Sequence, residues 1–583
     1  MLKNNVFNKR KLNDKLTKHL FKPLPYILTG LLSAVFLAGC GNNGGSAVPE
    51  EDLVPSKEEK EVELDDEGMI VFNPDEAFTY GSNLSCTFDI PTQQVLFKID
   101  FEAVPESDDD NLYLFEVATY EEEEDLQGKE PVATCAKSHE NELSVDYERK
   151  YLFARFVPAL LYEGEYVPVS YGQYISNPEV LAPNGDDYPD VGSKKGILLD
   201  AQTVGTDKLT DLNVKRIAYN IPISDILGES EDPEYPTIEF EYNGKTYNFN
   251  GYRIMAYDAL FSYLTNEGYY ITAIVLNDWN EDYPELIHPL SREKTEDSLY
   301  YAFNTEEEEG VRLMEAIALF LAERYSSEEH GIVYDWVIAN EINQQTTWNY
   351  MATDDLYLYT EAFEKAFRTF YNAIKSRYAN ARVYFSIDHD WNDNYGHDDV
   401  FFNGRDLLYT FNDIALMGGN YDWGLAIHPY PNPLNRVNYW KSEYDMTENA
   451  ELLTLMNMTS VTDVLTKDEF LDTNGEVRSI AITELGFTSL SGEKLQAAAF
   501  AYCYLIVDEN PYIDSFMMNR QTDALEEIKT GLALGVYNRD LTPKYIAEVF
   551  KNIDTENRED YIPIILNILG ANDIEEALSW ANP

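Results

Sequence analysis

The feature that most constrains the fold is a pair of apolar runs that each lead into a glutamate. The two runs are Trp336–Glu341 and Ile480–Gly486. An apolar run of about four to eight residues is typical of a strand buried on both faces, as in a parallel sheet covered by helices. In barrels built from such strands, side chains at the C-terminal strand ends line the ligand site. The runs therefore predict a parallel β/α fold that carries Glu341 and Glu484 at one end.

The rest of the C-terminal part follows the same pattern. From about residue 194, apolar strands alternate with helical segments, as in parallel β/α units. The candidate strands are Gly196–Asp200, Arg216–Pro222, Tyr270–Asn277, Ile332–Glu341, Ala381–Asp388, Trp423–Tyr430, Ser479–Glu484 and Ile513–Arg520. Eight strands over about 350 residues fit a barrel with inserted loops, because plain barrels run to about 250 residues. We predict an α/β fold, a TIM-type (β/α)8 barrel, over residues 191–583.

The N-terminal forty residues have the composition of an export signal. Basic residues precede an apolar stretch over 26–38, which is shorter than the about 20 apolar residues that a bilayer span needs. The stretch closes with Leu37-Ala38-Gly39-Cys40, which resembles the bacterial lipobox. The resemblance implies that residues 1–39 are removed as a lipoprotein signal peptide and that Cys40 carries the lipid, so that the protein is exported and anchored at the bacterial cell membrane. An ordinary signal peptide and an uncleaved anchor are the alternatives.

Residues 40–68 and 69–190 differ from the barrel in composition. The first range is Gly- and Asn-rich and then acidic, which predicts a flexible tether because little apolar surface is available for burial. In the second, Phe97, Ile99 and Phe101 alternate with charged residues. This period of two is typical of strands with one buried face, and it predicts an all-β, sandwich-like accessory domain.

Charge and cysteine content limit the partners and cross-links. The chain has 104 acidic and 43 basic residues, a net charge of −61 that is spread along its length. Such a field repels nucleic acid, which we therefore exclude as a partner. Cys503 lies in a helical apolar pattern and is predicted to be a buried free thiol. A disulfide between Cys86 and Cys135 is left open, because spacing alone cannot show that their Cα atoms approach.

Two carboxyl groups at one barrel mouth are suited to combined acid and nucleophile chemistry. A carboxyl group that is withdrawn from water beside a second carboxylate has a raised pKa and holds its proton near neutral pH. An ionised partner that accepts hydrogen bonds can attack a carbon atom. Glu341 and Glu484 are therefore the candidate pair for one acid and one nucleophile.

Ala339-Asn340-Glu341 at the presumed fourth strand, with Thr483-Glu484 at the seventh, resembles the clan A retaining glycoside hydrolases. The similarity spans about 194–554 and includes Leu541–Tyr545 before the last helix. It implies cleavage of O-glycosidic bonds in a carbohydrate substrate, an oligo- or polysaccharide, by double displacement. In that clan the fourth-strand glutamate is the acid/base and the seventh-strand glutamate is the nucleophile, so the resemblance implies Glu341 as the acid/base and Glu484 as the nucleophile. We predict no cofactor and no metal.

Further residues are assigned to the site by their positions after strand ends. Asn340 is a candidate donor to the sugar 2-hydroxyl. His428 and Tyr430 share one face of the sixth strand; the resemblance implies that Tyr430 hydrogen-bonds the nucleophile, and His428 is expected to contact substrate. The other candidates are Trp279, Trp348 and Trp391 as stacking platforms, the cluster of Asp388, His389 and Asp390 as ligands of sugar hydroxyls (or of a metal, were His397 to join them), and Arg520 as a substrate contact or the partner of an acidic neighbour. Each of them is also compatible with ordinary loop packing.

Two alternatives stay open. The accessory domain is either a sugar-binding module or a structural domain that packs on the barrel. The whole protein is either an enzyme or a non-catalytic, surface glycan-binding lipoprotein on a barrel scaffold, because one fold supports both. The chain also departs from the clan, in which an arginine often ends an early strand and a tryptophan often ends the eighth. Here Arg216 begins its strand, and the eighth ends Met517–Arg520.

The lipobox makes the first testable prediction. Metabolic labelling with a palmitate analogue should mark the wild-type protein and should not mark Cys40→Ser, because the thioether-linked lipid needs the Cys40 sulfur. Cys503→Ser is the matched control and should label like the wild type. Equal labelling of wild type and Cys40→Ser would rule out the anchor.

Overall fold

The computed structural model describes residues 72–74, 77–393 and 401–581. The predicted signal peptide, Cys40 and the predicted tether lie outside these ranges, as does His397. Among the helices within them, none combines the length and the apolar character needed to cross a bilayer.

The elements follow in chain order. The strands are β1 (Gly81–Asp89), β2 (Gln94–Phe101), β3 (Asn111–Val117), β4 (Ala133–Ala136), β5 (Glu140–Asp146), β6 (Arg155–Tyr162), β7 (Glu165–Pro168), β8 (Lys195–Leu198), β9 (Arg216–Pro222), β10 (Ile238–Tyr242), β11 (Lys245–Phe249), β12 (Tyr270–Leu276), β13 (Ser326–Ser327), β14 (Gly331–Ile338), β15 (Arg382–Ile387), β16 (Gly424–Ile427), β17 (Ile480–Leu485) and β18 (Ile513–Met518). The α-helices are α1 (Asp207–Thr210), α2 (Ile223–Ile226), α3 (Gly251–Asn266), α4 (Glu308–Arg324), α5 (Gln345–Trp348), α6 (Leu356–Lys375), α7 (Gly404–Met417), α8 (Thr459–Leu465), α9 (Glu493–Glu509), α10 (Leu525–Lys529), α11 (Tyr545–Asn552), α12 (Ile562–Leu569) and α13 (Ile574–Ser579).

Eight parallel strands close into a barrel in the order β8, β9, β12, β14, β15, β16, β17, β18, and β18 pairs with β8. A helix follows each strand before the next one begins, and β10 and β11 form an inserted antiparallel hairpin. All eight strands that the apolar pattern predicts are present, with bounds that differ by a few residues. The (β/α)8 prediction is therefore confirmed.

The barrel interior is filled in layers, so that one end stays available for a ligand. Its middle layer is apolar and includes Ala218, Ile274, Val337, Ala426, Ala481 and Met517. At the N-terminal end, buried Asp335 accepts hydrogen bonds from the Tyr188 hydroxyl at 2.9 Å and from Thr272 Oγ1 at 3.3 Å. Arg216 Nη1 donates to the same Tyr188 hydroxyl at 3.1 Å. These contacts plug the lower end, and Glu341 and Glu484 lie at the opposite mouth.

The amphipathic pattern of Ile564–Leu578 predicts a single helix at the C-terminal end, and the structure departs from this prediction. The segment forms two helices, α12 and α13, because Gly570 adopts a left-handed conformation with φ of 87°. Glycine adopts this conformation without a Cβ clash, and it commonly ends a helix. Asp573 then caps α13 by accepting a hydrogen bond from the Glu576 amide at 2.8 Å.

The N-terminal domain has two antiparallel sheets, β1-β2-β5 and β4-β3-β6-β7. Their inner faces share one core, to which Val95 and Phe97 contribute from one sheet and Leu112 and Phe156 from the other. The predicted all-β, sandwich-like domain is therefore confirmed. Three cysteines in the described residues are free thiols: Cys86, Cys135 and the buried Cys503. The possible disulfide is not formed in this structure.

This domain packs on the outside of the barrel through a buried arginine of α6. The Arg368 guanidinium lies 3.5 Å from the ring centroid of Tyr421 and 4.8 Å from that of Tyr174, which belongs to the N-terminal domain. It also pairs with buried Glu364 at 3.4 Å. The Tyr174 amide donates to the Gly418 carbonyl at 3.1 Å across the same contact. The contact agrees with the packing alternative, and a sugar-binding role for the domain stays a hypothesis.

The burial of Arg368 makes a stability prediction. Arg368→Ala should lower the free energy of unfolding by about 3–5 kcal/mol, because it leaves the Glu364 charge buried without its partner. Arg377→Ala is the control, since its pair with Glu323 at 2.6 Å is partly exposed and should contribute at most about 1 kcal/mol. Urea unfolding at pH 7 measures both, and equal effects would contradict the prediction.

Candidate active site

Glu341 is presented by a tight turn rather than by the strand itself. β14 ends at Ile338, and the next residues include Ala339 with φ of 64° and Glu341 with φ of 38°. Non-glycine residues rarely adopt this left-handed region, and such strain is typical of functional sites. The turn is held by β15, because the Glu341 amide donates to Ser386 Oγ at 2.9 Å and the Ile342 amide donates to the Ser386 carbonyl at 2.9 Å.

The Glu341 carboxyl group is almost fully buried beside His428. Glu341 is 5% exposed and His428 is 2% exposed. His428 Nδ1 lies 2.7 Å from Glu341 Oε1, and Nε2 lies 3.0 Å from Thr483 Oγ1. Both ring nitrogens thus have partners within the protein, and the imidazole orients the carboxyl group of Glu341. The expected contact between His428 and substrate stays a prediction.

Glu484 lies on β17 and accepts two hydrogen bonds on one oxygen. The Tyr430 hydroxyl donates to Glu484 Oε1 at 3.0 Å, which is the contact that the resemblance implies. Asn519 Nδ2 donates to the same oxygen at 3.2 Å and to the Tyr430 hydroxyl at 2.9 Å. The sequence prediction assigned Arg520 to the site and missed its neighbour Asn519. Both residues follow the eighth strand, and this position was the signal that could have identified Asn519.

The two carboxyl groups face each other across a short gap. One oxygen of Glu341, one oxygen of Glu484 and a ring nitrogen of His428 all lie within 4.8 Å of one another. A separation of about 5–5.5 Å suits a carboxylate that attacks directly, whereas about 6.5–9.5 Å leaves room for a water molecule between carboxylate and substrate. Three donors this close would also suit a cation, but the short Nδ1–Oε1 hydrogen bond favours proton chemistry.

Burial and neighbouring charges give Glu341 and Glu484 different pKa values. Burial raises the pKa of Glu341 well above its usual range, and the nearby Asp388 charge raises it further. Burial also raises the pKa of Glu484, to about 7, while His428 and the hydrogen bond from Tyr430 oppose this rise and the Glu341 charge adds to it. Burial lowers the pKa of His428, which keeps its ring neutral. As pH rises, Glu484 therefore ionises first and Glu341 keeps the proton.

Among the other predicted contacts, Trp279 and Asn340 are partly exposed, whereas Trp348 is buried. Trp348 is 7% exposed and belongs to the apolar cluster of the barrel interior, where it stacks on Tyr300 with ring centroids 5.9 Å apart. Trp279 follows β12, is partly exposed and meets Tyr301 edge-on at 5.3 Å. Asn340 is half-buried in the turn before Glu341. Their contacts with substrate stay predictions.

The remaining candidates pack within the protein. Trp391 is 0% exposed, and its Nε1 donates to the Glu448 carbonyl at 2.9 Å, so its assignment as a stacking platform is wrong. Arg520 Nη1 pairs with buried Glu527 at 3.1 Å, which is the acidic-neighbour alternative. His389 is partly buried, and burial lowers its pKa. Loop segments cover these side chains, and a pattern of strand ends does not predict where such loops pack.

The raised pKa of Glu484 makes a prediction that is independent of turnover. A carboxyl group whose folded pKa lies above its unfolded value contributes stability that is present below about pH 4.5 and lost as pH rises through about 7. Glu484→Gln should match the wild type near pH 5 and be more stable at pH 8, by about 1–3 kcal/mol. Chemical unfolding at both pH values measures this gap.

Glu526→Gln, at a partly exposed position, is the matched control and should show no pH-dependent gap. A difference between Glu484→Gln and wild type that is the same at pH 5 and pH 8 would contradict the prediction.

The solved structures to which this chain is similar include three glycoside hydrolases. A family 39 glycoside hydrolase from the gut symbiont Bacteroides cellulosilyticus WH2 has 14% identity and a TM-score of 0.41, over 84% of this chain and 83% of its own. A GH5_18 variant from Streptomyces cattleya has 11% identity and a TM-score of 0.37, over 61% and 74%. The Ignisphaera aggregans GH53 catalytic domain has 15% identity and a TM-score of 0.36, over 64% and 96%.

Similarities this distant do not by themselves establish an activity. A comparison with curated proteins finds no match. Residues 187–577 match the model of a family of unknown function, DUF5722. Because this match covers more than half of the chain, the protein belongs to that family.

Proposed function

We propose that the protein is a retaining glycoside hydrolase that acts on a neutral oligo- or polysaccharide. The observation that carries the proposal is the approach of Glu341 and Glu484 within 4.8 Å, with His428 beside them. Such a gap suits double displacement, in which one carboxyl group donates a proton and the other attacks. The acid needs the higher pKa of the two, and burial together with Asp388 raises the pKa of Glu341 well above its usual range.

In the first step, Glu484 attacks the anomeric carbon while Glu341 gives its proton to the departing glycosidic oxygen. The C–O bond to the leaving sugar breaks, and an ester bond to Glu484 forms. In the second step, ionised Glu341 takes a proton from water, whose oxygen attacks the same carbon and releases Glu484. Tyr430 and Asn519 keep the attacking oxygen in place through their hydrogen bonds at 3.0 and 3.2 Å. Asn340 is proposed to bind the sugar 2-hydroxyl.

The surroundings of the carboxyl groups favour a neutral sugar. Trp279, which is partly exposed, offers an aromatic face on which the apolar C–H face of a sugar ring can stack. The net charge of −61 disfavours a polyanionic substrate. With the lipobox at Cys40, we propose that the enzyme acts outside the cell while lipid-anchored to the membrane.

The test uses protein that starts after Cys40 and a panel of mechanism-based fluoro-sugar inactivators, followed by peptide mass spectrometry. A slow-turnover fluoro-sugar should leave a glycosyl ester on Glu484, because fluorine at C2 slows both formation and hydrolysis of the covalent intermediate, whereas an activated leaving group speeds its formation only. The sugar that labels then identifies the substrate class.

Glu484→Gln is the control and should acquire no adduct, whereas Glu527→Gln, which changes a buried glutamate beside Arg520, should still be labelled. An adduct on a carboxyl group other than Glu484 would overturn the assignment. A complete lack of labelling, combined with measurable glycan binding, would favour the non-catalytic alternative.

A further inference from the structure

The turn that carries Glu341 is fastened to the end of β15 by a second carboxylate, Asp388. Asn343 Nδ2 donates to Asp388 Oδ1 at 2.5 Å, and the Asp388 amide donates back to Asn343 Oδ1 at 2.9 Å. Gln344 Nε2 donates to the other oxygen of Asp388. Together with the two bonds to Ser386, these contacts hold four consecutive residues from Glu341 to Gln344 against one strand end.

These hydrogen bonds maintain a backbone that the chain would otherwise avoid. Glu341 has φ of 38°, which is unfavourable for a residue with a side chain. Such a conformation persists where surrounding contacts over-determine it. Asn343 is fully buried, so its amide group has no water with which to replace Asp388. The position of the Glu341 carboxyl group therefore depends on Asp388, although the two side chains leave different strands.

The hydrogen-bond donors around Asp388 occupy its carboxylate oxygens but carry no positive charge that would neutralise it. Asp388 is buried, and its three donors are the side chains of Asn343 and Gln344 and the Asp390 amide at 2.8 Å, all of which are neutral. No lysine or arginine within the described ranges forms an ion pair with it at 4.0 Å or less. A buried charge that is held by neutral dipoles acts strongly on nearby titratable groups, because little water screens it.

The groups that face Glu341 come from three neighbouring strands. His428 follows β16, Glu484 lies on β17, and Asp388 follows β15. His389 is next to Asp388 in the chain, and Tyr430 hydrogen-bonds to Glu484. His428 is uncharged at neutral pH, because burial lowers its pKa. Glu484 changes charge during the proposed reaction. Asp388 is thus the neighbouring carboxylate outside the proposed catalytic pair whose charge raises the pKa of Glu341.

We propose that Asp388 is a positioning residue that sets both the orientation and the protonation of Glu341. The inference rests on the proposed function, in which Glu341 is the acid. This role explains why residue 388 is an aspartate, although an asparagine would fill the same volume. In Asp388→Asn, the new NH2 group would face the NH2 group of Asn343 or of Gln344, so one hydrogen bond and the charge are lost together.

The test compares pH profiles of kcat/KM with the 4-nitrophenyl glycoside of the sugar that labels Glu484. Asp388→Asn should move the basic limb to lower pH by about 1 unit, because the acid loses its proton more readily without the neighbouring charge. Asp388→Glu keeps the charge and should keep the basic limb. Ser386→Ala is the matched control, since it loosens the same turn without a change in charge, and it should lower kcat and leave the limb in place.

An unchanged basic limb in Asp388→Asn, or the same shift in Ser386→Ala, would overturn the proposal. If Asp388→Asn does not fold, Asp388→Ser removes the charge and retains a small acceptor, and the same shift is expected of it.

A second measurement separates this inference from the proposed function. A water-soluble carbodiimide with glycine methyl ester modifies protonated carboxyl groups, and peptide mass spectrometry follows Glu341 against pH without any turnover. The pH at which modification of Glu341 falls by half should be lower in Asp388→Asn than in wild type. A shifted midpoint without an adduct on Glu484 would overturn only the proposed function, whereas an adduct with an unshifted midpoint would overturn only the role of Asp388.

Discussion

Closure of the sheet by the pairing of β18 with β8 is the constraint on which the mouth of the barrel depends. Glu341 follows β14 and Glu484 lies on β17, with β15 and β16 between them. In an open sheet, strands three places apart are separated by about 14 Å, at about 4.8 Å per pair. Curvature turns both side chains inward, and the carboxylate oxygens come within 4.8 Å. A site made of distant segments thus requires the whole ring.

The same curvature removes water from the glutamates, which changes their chemistry. The interior below them is filled by the apolar layer and by the polar plug of Asp335, Tyr188 and Arg216. Burial is accordingly the largest cause of the raised pKa of Glu341 and of Glu484. The protein retains two carboxyl groups that oppose stability when ionised, and it orients them with His428, Tyr430 and Asn519. The burial of these groups lowers the stability of the fold, and the same burial gives the site a carboxyl group that can hold a proton near neutral pH.

The fold was largely predictable from the sequence, because hydrophobic periodicity is local. The eight apolar runs predict the eight barrel strands, and the alternation at Phe97–Phe101 predicts the first sheet of the N-terminal domain. Gly570 shows the limit of this approach, since one glycine divided a segment whose apolar pattern was continuous. The polar end layer also escaped prediction, because Tyr188 reaches Asp335 from a segment 147 residues away in the chain.

The sequence by itself determined the strands, their order and the two glutamates, because each of these follows from residue type and spacing along a short stretch. The tertiary structure alone decided which side chains meet. It placed His428 against Glu341, brought Asn519 to Glu484, and placed Asp388 under the turn of Glu341. It also enclosed Trp391 completely. Hydrogen-bond partners and burial depend on strand curvature and on loops that cross from other elements, and neither leaves a periodic signal in the chain.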